Sequence, residues 1–339
     1  MYISHLEKAV KEAFTDYAAG KCENPLNLFK MAQICEAVGD SNFSNLLKNT
    51  ANKRMVKAFD LASGNWQKLV NKPFGNRPDF KKNTLIRIEE MARLPVVSKR
   101  EPTSMDFVGE EGGEYRVRTY EKGYEFNRED IMNDDLGAFL KFPSKQGQAA
   151  ARTIDKFVYD FINDNSSASI DGGVLFSSSN SNIATTAPLS TTNLERVQNL
   201  LTAQTEAKTG DKLALRPSFL IVPTSLELLA DRIVGSVNLQ GTANNDMNPF
   251  KKLEVIVSPW LTDTGTPSTA DWYLASSPAM TETIQIDFLK GRSTPETLTR
   301  RESSPDNFDF INRTRAFKTR YEFGGILADY RWIAKGDAV

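Results

Sequence analysis

Histidine is nearly absent: His5 is the only one in 339 residues, and Cys22 and Cys35 are the only cysteines. Histidine is the commonest general base and metal ligand, so a catalytic triad or a His-ligated zinc site is not expected. Two cysteines are too few for a disulfide scaffold. No GxxxxGK[ST], GxGxxG or HExxH motif occurs. The chain is therefore expected to have no catalytic residues, no cofactor and no bound metal. No apolar run approaches the ~18 residues of a membrane span, and the N-terminus has no apolar signal core, so residence in a cytosol without a membrane partner is expected. Charge of one sign is missing too. Forty-two Lys and Arg against 43 Asp and Glu leave a net charge of −1, which gives the whole molecule no electrostatic address for a polyanion.

What remains is an ordinary core-forming composition, 40% hydrophobic and 25% charged, long enough for about two core units. The clearest single element begins at Pro143. Gly147, Ala150, Ala151, Ile154, Phe157, Val158, Phe161 and Ile162 follow the i, i+3, i+4, i+7 spacing of one helical face. Pro143 suits a first turn, and Asn163, Asp164 and Asn165 lead into a polar run that ends the helix. About twenty residues make a rod of roughly 30 Å. Its first half is small enough for another backbone to approach closely, and its second half is bulky, as suits a spine with a sheet against it. Glu129, Asp130, Asp134 and Asp135 cluster ahead of it, either as cap and dipole partners or as an acid–base pair.

Residues 1 to about 82 are expected to be helical, starting with a capping box at Ser4 and Glu7 and continuing through helices near Leu26–Val38, Asn42–Leu61 and Asn65–Val70. Between Lys48 and Lys82 nine basic residues, among them Lys48, Lys53, Arg54, Lys57, Lys68 and Lys72, face only Asp60 and Asp79, a local net of +7. Such a run is either a solvated face or an arm turned toward phosphate. From Thr84 to Phe126 the period becomes extended, with Tyr115, Val117 and Thr119 on one face, Arg116, Arg118 and Tyr120 on the other, and Gly109–Glu114 as a turn. The expected product is a long charged hairpin. Its residues Lys99, Arg100, Glu101, Glu110, Glu111, Arg116 and Arg118 supply both signs of charge with little apolar surface, as intersubunit contacts would require.

After a Ser/Asn/Thr/Gly connector, a helix at Leu194–Glu206 is expected, then a strand at Ser218–Val222 and a helix capped by Thr224 and Glu227. Short strands at Leu253–Val257, Trp272–Ala275, Ile284–Phe288, Phe317–Phe323 and Leu327–Ile333 follow, with Gly324 and Gly325 bending the chain between the last two. The fold class is α+β.

Across residues 75 to 337, the order of hairpin, YEFNREDIMNDDLGAFLKFPSKQGQAAARTIDKFVYDFI, PSFLIVPTSLELLADRI, LEVIVSPWL, DWYLASSP, IQIDFLKG and FKTRYEFGGILADYRWIAKG resembles the major capsid proteins of tailed bacteriophages. It is most similar to the Mu-like major head subunit branch, with the run Asn133–Phe139 intact. The resemblance implies the Hong Kong 97 capsid fold. Residues 1–82 would form an N-terminal arm, 83–128 an extended loop, 129–206 with 280–325 a peripheral domain, and 207–279 with 326–339 an axial domain. It further implies a non-enzymatic subunit that self-assembles through hexamers and pentamers into an icosahedral head around double-stranded DNA. Its partners would be other copies of itself, scaffolding, portal and decoration proteins, and packaged DNA, touched non-specifically by Lys48, Lys53, Arg54, Lys57, Lys68 and Lys72. It would be assembled in the host cytoplasm and found in the virion. An encapsulin-like cargo shell shares this fold, and a hydrolase using Asp134 and Asp135 is the enzymatic alternative.

Overall fold

The computed structural model describes residues 40–62, 64–88, 110–127, 138–165, 170, 173–206, 209–237, 247–261, 270–299 and 314–338. The expected helices near residues 4–18 and 26–38, the hairpin residues 89–109 and the acidic cluster at 129–135 lie outside them. The chain divides into two compact units: residues 1–64, 118–154 and 292–323, and residues 65–117, 155–291 and 324–339. These units cut the chain differently from the arm, loop, peripheral and axial boundaries expected above.

In the first unit, helix α1 (Asp40–Ala62) lies beside the start of helix α2 (Ala138–Asn163). α2 is the spine helix, and it begins before Pro143 rather than at it. Pro143 removes one backbone donor, yet the apolar face beyond it is continuous. Gln146, Gly147, Ala150, Ala151, Ile154, Val158, Tyr159, Phe161 and Ile162 are buried, whereas Phe157 is only half-buried. The small first half does what small residues permit. A Cβ on Gly147 would overlap the Met55 carbonyl oxygen and lie 3.0 Å from the Phe59 nitrogen, so α1 and α2 cross with their backbones in contact.

Three strands complete this unit: β4 (Arg118–Asn127), β10 (Glu296–Thr299) and the first part of β11 (Thr314–Leu327). β11 lies between the other two, antiparallel to both, with Tyr120 opposite Tyr321 and Thr319 opposite Thr297. Helix α1 meets the sheet through Asn52, which accepts from the Thr297 backbone N–H at 3.2 Å, and through Phe59, whose ring meets that of Tyr321 edge-on at 5.5 Å.

β4 corrects the expected hairpin. Its two strands are β2 (Asn83–Ile88) and β3 (Glu110–Tyr115), paired antiparallel from Asn83 opposite Tyr115 to Ile88 opposite Glu110. Glu110–Glu114 is therefore ladder, not turn. The chain leaves that ladder at Arg116 and Val117, and from Arg118 it pairs with β11 instead. β11 is a second correction, because it runs unbroken for fourteen residues through Gly324 and Gly325 to Leu327, and the expected second strand at Leu327–Ile333 is instead mostly the turn before β12 (Ile333–Gly336). Gly324 and Gly325 do not interrupt it; they let other chain segments approach. A Cβ on Gly325 would lie 2.6 Å from the Gln285 carbonyl oxygen, and one on Gly324 would strike that of Arg116.

The second unit contains β1 (Gly75–Arg77), parallel to β9 (Ile284–Leu289), so residues 65–82 are not helical beyond a 3-10 turn at Asn65–Lys68. Its main sheet is ordered β5 (Ile183–Ala184), β12 (Ile333–Gly336), β8 (Trp272–Ser276), β6 (Pro217–Val222) and β7 (Glu254–Val257). Alternate residues Leu220, Val222, Trp272, Leu274 and Ala334 point to one face. Helix α3 (Thr191–Thr202) and helix α4 (Glu227–Gly235) cover it with Leu194, Val197, Leu201, Ala230 and Ile233. α3 is capped by Ser190, which accepts from the Asn193 N–H at 3.2 Å. The capping box expected at Thr224 does not form, since Thr224 opens a 3-10 turn and α4 starts at Glu227 with no side-chain cap.

Candidate functional site

The hairpin of β2 and β3 has its base tied into its own unit. On β2 the apolar Ile86 is 53% exposed while Arg87 is buried. Arg87 lies 2.8 Å from Glu206 and 3.3 Å from Asp329, and Arg331 lies 3.0 Å from Asp329 and 3.5 Å from Glu206. All four side chains are buried, so two guanidiniums and two carboxylates neutralise one another away from water. A buried charge is tolerated only in such company. Burial raises the Asp329 carboxyl above the ordinary carboxylate range, against the opposing pull of Arg331 and Arg87. Burial likewise raises Glu282, against the pull of Arg87.

The second strand is anchored by Tyr115, which packs with Ile170, Ile326 and Ala328. Its hydroxyl accepts from Arg77 at 2.6 Å and donates to buried Asp287, which also pairs with Arg77. Burial, reinforced by Asp287, raises the Tyr115 hydroxyl above its ordinary pKa. The hairpin expected to make intersubunit rather than intramolecular contacts thus has a base held within the subunit.

Of the residues expected to touch a neighbour, Lys99, Arg100 and Glu101 lie outside the described residues. Glu110 and Glu111 stand on β3 opposite Ile88 and Arg87 in the ladder. Arg116 and Arg118 are exposed, at and just beyond the point where the chain leaves the hairpin.

The expected basic arm is divided. Lys48, Lys53, Arg54 and Lys57 fall on α1, with Lys53 and Lys57 exposed, whereas Lys68 and Lys72 belong to the other unit. Lys68 is already paired with Glu254 at 2.6 Å. Lys82 is paired with Glu114 and Lys81 with Asp79, which further reduces the free charge of the run.

Sequence reasoning missed the quartet of Arg87, Glu206, Asp329 and Arg331. The one local signal was the alternation of TLIRI, which places Arg87 on the same face as Leu85. It also missed the ladder on the unit-one sheet, where Glu121 of β4 meets Arg320 at 2.5 Å and Lys318 at 3.0 Å on β11. Hydrogen bonds from Lys318 and then Arg320 hold the Glu121 carboxyl below its ordinary pKa. Asp134 and Asp135 lie outside the described residues. Among those described, no group of three His, Cys, Asp or Glu side chains could hold a metal ion. Nor is any described helix long and apolar enough to cross a membrane.

Three comparisons bear on this arrangement. The family described as phage capsid protein matches residues 110–336. No curated protein matches. Among solved structures, the capsid of cyanophage P-SCSP1u superposes with a TM-score of 0.53 at 7% identity, covering 81% of this chain and 88% of that one. A chain of Microbacterium phage Oxtober96 gives 0.51 at 7% identity, covering 81% and 91%. Likeness at such low identity concerns the fold, which is that of phage capsid subunits.

Proposed function

The chain belongs to the phage capsid protein family, and we propose that this major capsid protein builds its shell from hexamers and pentamers linked by the hairpin and encloses double-stranded DNA. The observation that carries the shell role is the family match over residues 110–336, made on a fold shared with phage capsid subunits. It favours the phage shell over the encapsulin-like container and over a hydrolase at Asp134 and Asp135.

Within that shell, the buried anchoring of Arg87 and Tyr115 fixes the direction in which the hairpin leaves its subunit, and Lys99, Arg100, Glu101, Glu110, Glu111, Arg116 and Arg118 meet opposite charges on a neighbour. Each exposed pair contributes only about 0 to 1 kcal/mol, but symmetry repeats it at every subunit. Exposed Lys53 and Lys57, with Lys48, Arg54, Lys68 and Lys72, contact DNA through phosphate alone. Scaffolding, portal and decoration proteins complete assembly in the host cytoplasm. The extended loop of this subunit begins with β2 and ends with β3.

Negative-stain microscopy and size-exclusion chromatography of the purified chain test this. Rings or closed shells are expected. A stable monomer across salt and protein concentration would sink the proposal.

A further inference from the structure

β6 and β7 run parallel, so their first residues share one end of the sheet and their last residues the other. At the first end a cleft of about 520 Å³ opens over buried Leu215, Phe250 and Leu253. Lys212, Arg216 and Lys252 line it, all exposed, and no carboxylate does. Among the described residues none of these three cations is in an ion pair. An apolar floor ringed by unneutralised cations suits an apolar side chain flanked by carboxylates.

Such a side chain stands at the opposite end. Beyond Val222 the chain turns into α4, whose start presents Leu228, 79% exposed, between exposed Glu227 and Asp231. Arg232, one turn beyond Leu228, is also exposed, so this knob carries a net charge of −1 toward a cleft of +3. Asn248 fixes the other end of α4 beside the cleft, donating to the carbonyls of Ile233 at 2.6 Å and Ser236 at 3.0 Å. Knob and cleft are therefore separated by the length of α4, about 13 Å, and by that of β6, about 20 Å. They cannot meet within one subunit.

We propose that Leu228 of one copy, with Glu227 and Asp231, seats in the Lys212–Arg216–Lys252 cleft of the next copy as a head-to-tail contact of the shell. The contact rests on the shell role given above. Two different patches joined in this way generate a ring when the rotation closes. A DNA duplex is the competing occupant, but its convex, fully charged backbone gains nothing from an apolar floor.

The test uses the full-length chain and two variants changed only at exposed positions, L228R for the knob and K212E/R216E/K252E for the cleft. With wild-type melting temperatures kept, each is expected to give assemblies at about one-tenth of the wild-type yield or less, the loss typical of a central interface residue. Mixed together at equal concentration, the two retain one intact contact per pair and should sediment as dimers, which neither forms alone. Wild-type yield from either variant, or a mixture that stays monomeric, would overturn the head-to-tail contact while leaving the shell role intact. So would loss of duplex-DNA binding in the cleft variant without loss of assembly. A wild-type chain that never assembles would instead remove the shell role on which the contact rests.

Discussion

Arg87 on the first strand of the hairpin lies 2.8 Å from Glu206, and both side chains are buried although 119 positions separate them in sequence. Removing the arginine takes one of the two guanidiniums from the quartet and leaves Arg331 as the other beside Glu206 and Asp329. R87A should therefore destabilise the chain by about 3 to 5 kcal/mol, as for other broken buried ion pairs. Urea denaturation measures this directly. A loss under about 1 kcal/mol, ordinary for surface pairs, would mean that water reaches the quartet.

Gly147 tests the contact between α1 and α2. G147A forces a methyl group against the Met55 carbonyl and should cost about 1 to 3 kcal/mol, although alanine is the better helix former. G123A is the control, because its Cβ would meet only ordinary contacts at 3.8 and 4.0 Å. If both variants melt alike, the two helices do not cross there.

Phe157 and Phe161 share the apolar stripe and touch edge-on at 5.1 Å, yet only Phe161 is buried. F161A should cost about 3 to 5 kcal/mol and F157A clearly less, since the transfer and cavity losses scale with burial. Thermal melts that reverse this order would show the stripe to be rotated.

The Glu121 ladder should be visible in pH dependence. A carboxyl depressed in the folded state adds stability that is present above its unfolded pKa, about 4.3, and lost as pH falls through its lower folded value. E121Q should thus melt below wild type at pH 7, by no more than about 1 kcal/mol for so exposed a group, and the gap should close in acid. A gap that stays constant down to pH 2 would assign the effect to packing.

The hairpin tip should matter to assembly alone. Replacing Lys99, Arg100 and Glu101 with a Gly/Ser linker is expected to leave the melting temperature of the monomer unchanged and to lower shell yield in sedimentation. Undiminished yield up to high salt would mean that the tip is merely solvated.

Local pattern alone determined much of the molecule. The spine helix follows from the period of Gly147 to Ile162, and the strand and helix from Ser218 to Ile233 from an apolar run joined to a helical one. Each needs only neighbours within a turn or a strand. Tertiary structure decided the rest. Arg118 to Asn127 alternates equally well beside β2 or β11, and only the partner, about two hundred residues away, makes it part of another sheet. Gly324 and Gly325 read as a bend because nothing in sequence announces the backbones that press on them. The partners of Arg87 are hidden for the same reason, since the carboxylates buried with it come from distant segments. Periodicity records which face of an element is apolar. What lies against that face is set by contacts between residues far apart in the chain, and a single sequence does not order those contacts.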